Sequence, residues 1–110
     1  LEVNFSSIDF SSRDSVLGTA KAFEDLGVTA YNGAGKLITT PDYLVLAGKI
    51  VSVEARHAAL IRDLISNGSF ADSTAIDANG LDLSRTPPQV LAIAAPFLKT
   101  ALNASNLPTS

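Results

Sequence analysis

Cysteine, methionine and tryptophan are all absent from the 110 residues, and histidine occurs once. Without cysteine there is no disulfide framework, no thiolate metal site and no cysteine nucleophile, and the redox compartment is left open. Basic residues are few: eight lysines and arginines are scattered among eleven acidic residues, for a net charge of −3. No basic stripe is present to follow a phosphate backbone, which argues against a nucleic-acid partner. No apolar run is long enough to span a bilayer, and no signal peptide is visible. The lack of methionine extends to position 1, and "LEVNF" reads as if cut from something longer. We expect a trimmed product of a larger precursor, with export to a periplasmic or extracellular location favoured and any targeting segment lost before Leu1. What remains is 46% hydrophobic and 17% charged, enough for one small domain with a core of modest depth.

Three segments organise the chain. Residues 1–12, "LEVNFSSIDFSS", read as an N-terminal arm that ends in a serine pair suited to cap a helix, with Asp14 placed well in its first turn. A helix follows from Arg13 to about Leu37, with Leu17, Ala20, Glu24, Gly27, Tyr31 and Ala34 at alternating spacings of three and four. Its four glycines weaken it and let a neighbouring backbone come close. "ITTPDYL" stops and restarts the chain: Thr40 caps, Pro41 takes the first helical position, and Asp42 meets the positive end of the dipole. The second helix runs from Pro41 to about Ser66, with Tyr43, Ala47, Ile50, Glu54, His57, Ile61 and Leu64 on one stripe and "SNG" as its end. The short connection predicts an antiparallel hairpin over residues 13–67. In the third segment, 68–110, residues 69–85 read as loop. "TPPQVLAIAA" restarts a helix capped by Thr86, Pro96 breaks it, a second short helical piece covers "PFLKTALN", and "ASNLPTS" reads as a frayed tail.

The chemistry lies in "SVEARHAAL", which places one of only three glutamates three residues from the single histidine on the apolar stripe. Side chains at i and i+3 leave a helix in the same direction, so Glu54 and His57 can reach one ion. Glu24, on the stripe of the facing helix, offers another oxygen. An unpaired carboxylate on a buried face is costly, so such groups are neutralised, paired or bound to a cation. Carboxylate oxygens with one imidazole suit iron or manganese, with zinc possible.

"AFEDLGVTAYNGA" followed by "ITTPDYLVLAGKIVSVEARHAALIRDL" resembles the second half of the ferritin-like domain of desiccation-related proteins and their bacterial relatives. The resemblance covers roughly residues 12–66 and extends more weakly through "RTPPQVLAIAAPF". It implies an all-α fold in which this antiparallel hairpin forms half of a four-helix bundle, each half carrying one Glu helix and one Glu-x-x-His helix. On that basis Glu24 is a terminal carboxylate ligand, Glu54 the bridging one and His57 the imidazole ligand of a di-iron or di-manganese centre, and Tyr31 lines the same cavity. One departure is large: a single helix pair offers three ligands and leaves its own apolar face uncovered. The expectation is therefore a homodimer, or a missing N-terminal half, that completes the bundle.

The implied activity is oxidation of Fe(II) or disposal of peroxide. The alternative is a metal-free structural or desiccation and stress-protection module that acts through oligomerisation, with Glu24, Glu54 and His57 joined in a buried hydrogen-bond network. Tyr31 and Tyr43 also read simply as packing residues. Arg56, Arg62, Lys36 and Lys49 read as a solvated face. Asp25 should point about 100° away from Glu24. "GAGK" lacks the strand and the Ser or Thr of a phosphate loop, and no arrangement of Ser, His and Asp forms a triad.

Overall fold

The computed structural model describes residues 1–109. It is all-helical, with α1 at Arg13–Ala34, α2 at Pro41–Ile65 and α3 at Pro87–Ala94, and with single 3₁₀ turns at Gly35–Leu37, Ser69–Ala71 and Ala95–Phe97. The boundaries follow local chemistry. Ser12 is extended and its hydroxyl accepts from the Ser15 amide at 3.3 Å, which caps α1. Pro41 opens α2, where its missing N–H costs nothing. At α3 the Gln89 Oε1 accepts from the Thr86 amide at 2.9 Å, one half of a capping box. The first helix gives way to a 3₁₀ turn at Gly35 rather than running on to Leu37 as an α-helix. Gly68, beyond α2, takes φ +84°, a region that a side chain would disfavour.

Helices α1 and α2 pack as the expected hairpin. The seam between them is thin. Leu26, Val28, Thr29 and Gly33 of α1 and Ala47, Ala58 and Arg62 of α2 are buried, Thr29 and Gly33 of them beneath Arg85. Ala47 lies on the expected stripe, but most of the line is offset by one residue: Leu26 and Gly33 precede Gly27 and Ala34, while Ala58 and Arg62 follow His57 and Ile61. One residue is about 100° of helix rotation. Much of the stripe therefore sits at the edge of the seam, and Tyr43, Ile50 and Leu64 are exposed on the face that a single helix pair leaves uncovered. Leu44, Val45, Leu46, Val53 and Leu60 are exposed with them. Among the described residues no large side chain is fully buried. The radius of gyration, 14.8 Å, exceeds the roughly 13 Å of a compact domain of this length. The chain is a slab 23 Å thick in its shortest dimension, with one apolar face unpartnered.

Everything after α2 returns to cover the other face. Residues 69–85 are mostly irregular, as expected, with one antiparallel bridge between Ile76 and Asp82. The Arg85 amide donates to the Thr29 carbonyl at 2.9 Å, and Arg85 Nη1 donates to Thr29 Oγ1 at 2.6 Å. Gly33 permits this approach, since a Cβ there would overlap the Arg85 carbonyl.

The expected helix over "PFLKTALN" does not form beyond Phe97. Pro96 interrupts the helical ladder, and the next residues pair with the N-terminal arm instead. Val3 bridges Leu98, the Asn4 amide donates to Phe97 O at 2.8 Å, and the Lys99 amide donates to Glu2 O at 2.9 Å. Phe5, Phe23 and Phe97 stack across this join, with ring centroids 6.2 and 4.6 Å apart. In the tail the Leu107 amide donates to Ala104 O at 3.0 Å; Ser110, the end of the expected frayed segment, lies outside the described residues.

Candidate metal centre

Glu24 lies near the middle of α1, and Glu54 and His57 lie one turn apart on α2. Antiparallel packing brings α1 to the level of that turn. One donor atom from each of the three residues falls within a cluster whose members are all within 4.8 Å of one another. His57 Nδ1 stands 3.4 Å from Glu24 Oε2. Glu24 is largely enclosed, with its side chain 24% exposed, whereas that of His57 is 55% exposed. The histidine sits on the open edge of the seam, and its neighbour Ala58 takes the interior position on α2.

Two carboxylates meet at this cluster, Glu24 from α1 and Glu54 from α2. Glu24 Oε2 is buried and has no hydrogen-bond partner. The Glu54 carboxyl is held above its ordinary value of 4.5, first by the hydrogen bond it forms with Glu24 when protonated, then by burial and by the charge of Glu24, with His57 acting in the opposite direction. Two deprotonated carboxylates have nothing to donate to each other, so the orphaned oxygen is satisfied by a proton on Glu54, by a closer approach of a protonated His57 Nδ1, or by a cation. Gly27 leaves the room: a Cβ there would stand 3.3 Å from Glu54 Oε2. Two carboxylates and an imidazole are a donor set that fits iron, manganese or zinc.

Tyr31 is half-buried on α1, seven residues and about 10 Å of helix rise beyond Glu24. It is not one of the three residues that converge.

Two residues that the sequence reading set aside prove central beside the site. Arg62 is 3% exposed and bonded to Asp25, Asp72 and Thr74, so it is no part of a solvated face. Asp25 does turn away from Glu24, and what it meets is the Arg62 guanidinium at 2.8 Å. In the structure Arg62 follows Ala58 by four residues on the buried line of α2, a line that the expected stripe did not pick out. Lys36, Lys49 and Arg56 are exposed as expected.

The hairpin, its Glu/Glu-x-x-His cluster and its open face agree with comparison to known families: the ferritin-like domain matches residues 1–67, more than half of the chain. The chain belongs to the ferritin-like domain family. No curated protein and no solved structure matches it. The match takes in the N-terminal arm as well as α1 and α2, and it stops where the irregular segment begins. No helix of this ferritin-like chain, among the described residues, is long and apolar enough to cross a membrane.

Proposed function

We propose that this ferritin-like chain binds metal through Glu24, Glu54 and His57, as half of a carboxylate-bridged di-iron or di-manganese centre. One observation carries the reading: three donor atoms converge within 4.8 Å around a buried carboxylate oxygen that has no other partner. By the family resemblance Glu54 would act as the bridging carboxylate, Glu24 as a terminal one and His57 as the imidazole ligand. Gly27 keeps the space beside Glu54 free. When bound, such ions supply the redox and Lewis-acid chemistry that oxidises Fe(II) or handles peroxide. The chain's own part is to hold the ligands together, to set the charge around them and, once its open face is covered, to exclude water.

Three ligands are too few for two ions. A second helix pair would supply the remainder, from another copy of the chain or from a segment preceding it. The apolar face of α2 beside His57 supports this, because it needs a cover of the same shape and polarity.

The test is metal content after reconstitution with Fe(II) or Mn(II). Wild type should retain metal, and Glu54→Ala and His57→Ala should lose it while keeping their far-UV circular dichroism. Metal-free wild type would end this reading. A second reading has its own support in the upward shift of Glu54: a Glu–Glu–His hydrogen-bond network in a structural module. It predicts that wild type stays metal-free and that Glu54→Gln, which keeps a donor to Glu24, preserves stability. Sedimentation distinguishes the source of the second pair, since assembly of the purified chain into dimers is expected only if another copy provides it.

A further inference from the structure

We infer that Arg62 is a positioning residue for the Glu24–Glu54–His57 site, locking α1 against α2 in the register that brings the three ligands together. We also infer that the segment following α2 acts on the site through Arg62. The inference rests on the metal-binding reading of that site.

Every N–H of the Arg62 guanidinium has an acceptor. Nε donates to Asp25 Oδ1 and Nη2 to Asp25 Oδ2, both at 2.8 Å. Nη1 donates to Thr74 Oγ1 at 2.8 Å and to Asp72 Oδ1 at 3.2 Å, and Nη2 also donates to Thr74 O at 3.4 Å. The paired contact with Asp25 is a fork that only arginine forms, and it fixes direction as well as distance.

Its consequence for the site comes from the neighbour of Asp25. Glu24 and Asp25 are consecutive, so they leave α1 about 100° apart. Glu24 meets Glu54 and His57 on the open edge of the seam, and Asp25 meets Arg62 on the covered side. Two attachments to α2 from adjacent residues, on different sides of α1, restrain rotation and sliding together. That restraint has something to oppose. Deprotonated, Glu24 and Glu54 repel each other, and His57 lies at 3.4 Å from only one of them in the ion-pair geometry observed. Arg62 supplies a buried, two-point cross-helix attraction where the ligands offer only the single His57–Glu24 contact.

Arg62 is in turn held from outside the hairpin. Asp72 Oδ1 accepts from the Thr74 amide at 2.8 Å and from its hydroxyl at 2.6 Å, and Ser69 Oγ donates to Arg62 O at 2.8 Å. The irregular segment is thereby part of the arrangement that orients the site, although no residue of it is a candidate ligand.

The experiment is titration of the full chain with Mn(II), reading the free-ion electron paramagnetic resonance signal, at a temperature where every variant is fully folded. Apparent affinity falls with the fraction of binding-competent protein, so a residue that contributes only stability leaves it unmoved under those conditions. Arg62→Met is expected to weaken Mn(II) binding by about 10-fold or more, the usual consequence of removing a group that orients a ligand. Arg62→Lys should recover part of the loss, Asp72→Asn should show a smaller loss, and the exposed control Lys49→Met should bind as wild type does. Wild-type affinity in folded Arg62→Met overturns this inference alone; wild-type affinity in Asp72→Asn overturns the role of the segment. Failure of the wild-type chain to bind Mn(II) overturns the metal-binding reading and this inference with it. Should Arg62→Met not fold, Arg62→Lys and Asp25→Asn, which each keep a donor or acceptor in place, make the same comparison.

Discussion

Replacing Gly33 with alanine sets two effects of opposite sign against each other. In a helix interior, alanine is favoured over glycine by about 1 kcal/mol. Against this, the new Cβ would overlap the Arg85 carbonyl oxygen and stand 2.8 Å from its carbon. These are backbone atoms, so no side-chain rotation relieves the overlap and the segment must move. Movement breaks both bonds that hold Arg85 to the buried Thr29, from its amide at 2.9 Å and from Nη1 at 2.6 Å. Each is worth about 1 kcal/mol net, and overpacking adds at least about 1 kcal/mol. The steric side wins, and Gly33→Ala should lose about 2 kcal/mol. Urea unfolding followed by circular dichroism would register this as a lower midpoint with an unchanged slope. Gly48 is the control: it lies within α2, and a Cβ there meets nothing within 4 Å, so Gly48→Ala should gain up to about 1 kcal/mol from the same propensity difference. If Gly33→Ala proves as stable as wild type, the return of the chain across α1 is not the contact described here.

Two other predictions concern charge and the open face. The Glu54 carboxyl is raised above its ordinary 4.5 by Glu24 and by burial, so its contribution to stability is full below that value and is lost as pH rises through the higher folded value. Urea midpoints of the metal-free chain should therefore fall over that range, and Glu54→Gln should flatten the fall; with Mn(II) present the trend should reverse, because ligands bind deprotonated. Ile50 is 42% exposed, so Ile50→Asp should change the stability of the isolated hairpin by less than about 1 kcal/mol and abolish association in sedimentation. Equal sedimentation of the two proteins would show that this face is not the one covered.

The hairpin was legible because its signals are local. Heptad spacing, Pro41 and the short connection each act within a few residues, and they agree. The convergence of Glu24, Glu54 and His57 was legible for a related reason: Glu54 and His57 are neighbours both in sequence and in space, and an antiparallel partner brings Glu24 to their level. Arg62 was not legible. One residue beyond Ile61, it reads as the flank of an apolar stripe, and its acceptors come from Asp25, Asp72 and Thr74, in two other parts of the chain. Periodicity carries no record of such partners. "PFLKTALN" failed for the same kind of reason. Its local pattern favours a turn of helix, but the arm at residues 2–4 offers its backbone a partner more than ninety positions away, and tertiary pairing overrides a weak propensity.

The placement of the site at the edge of the seam follows from how the seam is built. Ala47 and Ala58 let α1 and α2 approach closely, and Arg62 fills the remaining interior position on α2, which turns His57 and the large side chains outward. Ile50 and Val53 precede Glu54 on α2, and Leu60 and Leu64 follow His57, all of them exposed. On the proposed reading, a helix pair that covers these side chains also closes over His57. Burial of a half-exposed aliphatic side chain contributes roughly 1 kcal/mol, so four of them supply enough to offset the dehydration of one imidazole. Once water is excluded, a cation between Glu24 and Glu54 is attracted far more strongly than at an open surface. Assembly and metal binding would then reinforce each other, so Ile50→Asp should lower metal content even though Ile50 supplies no donor atom.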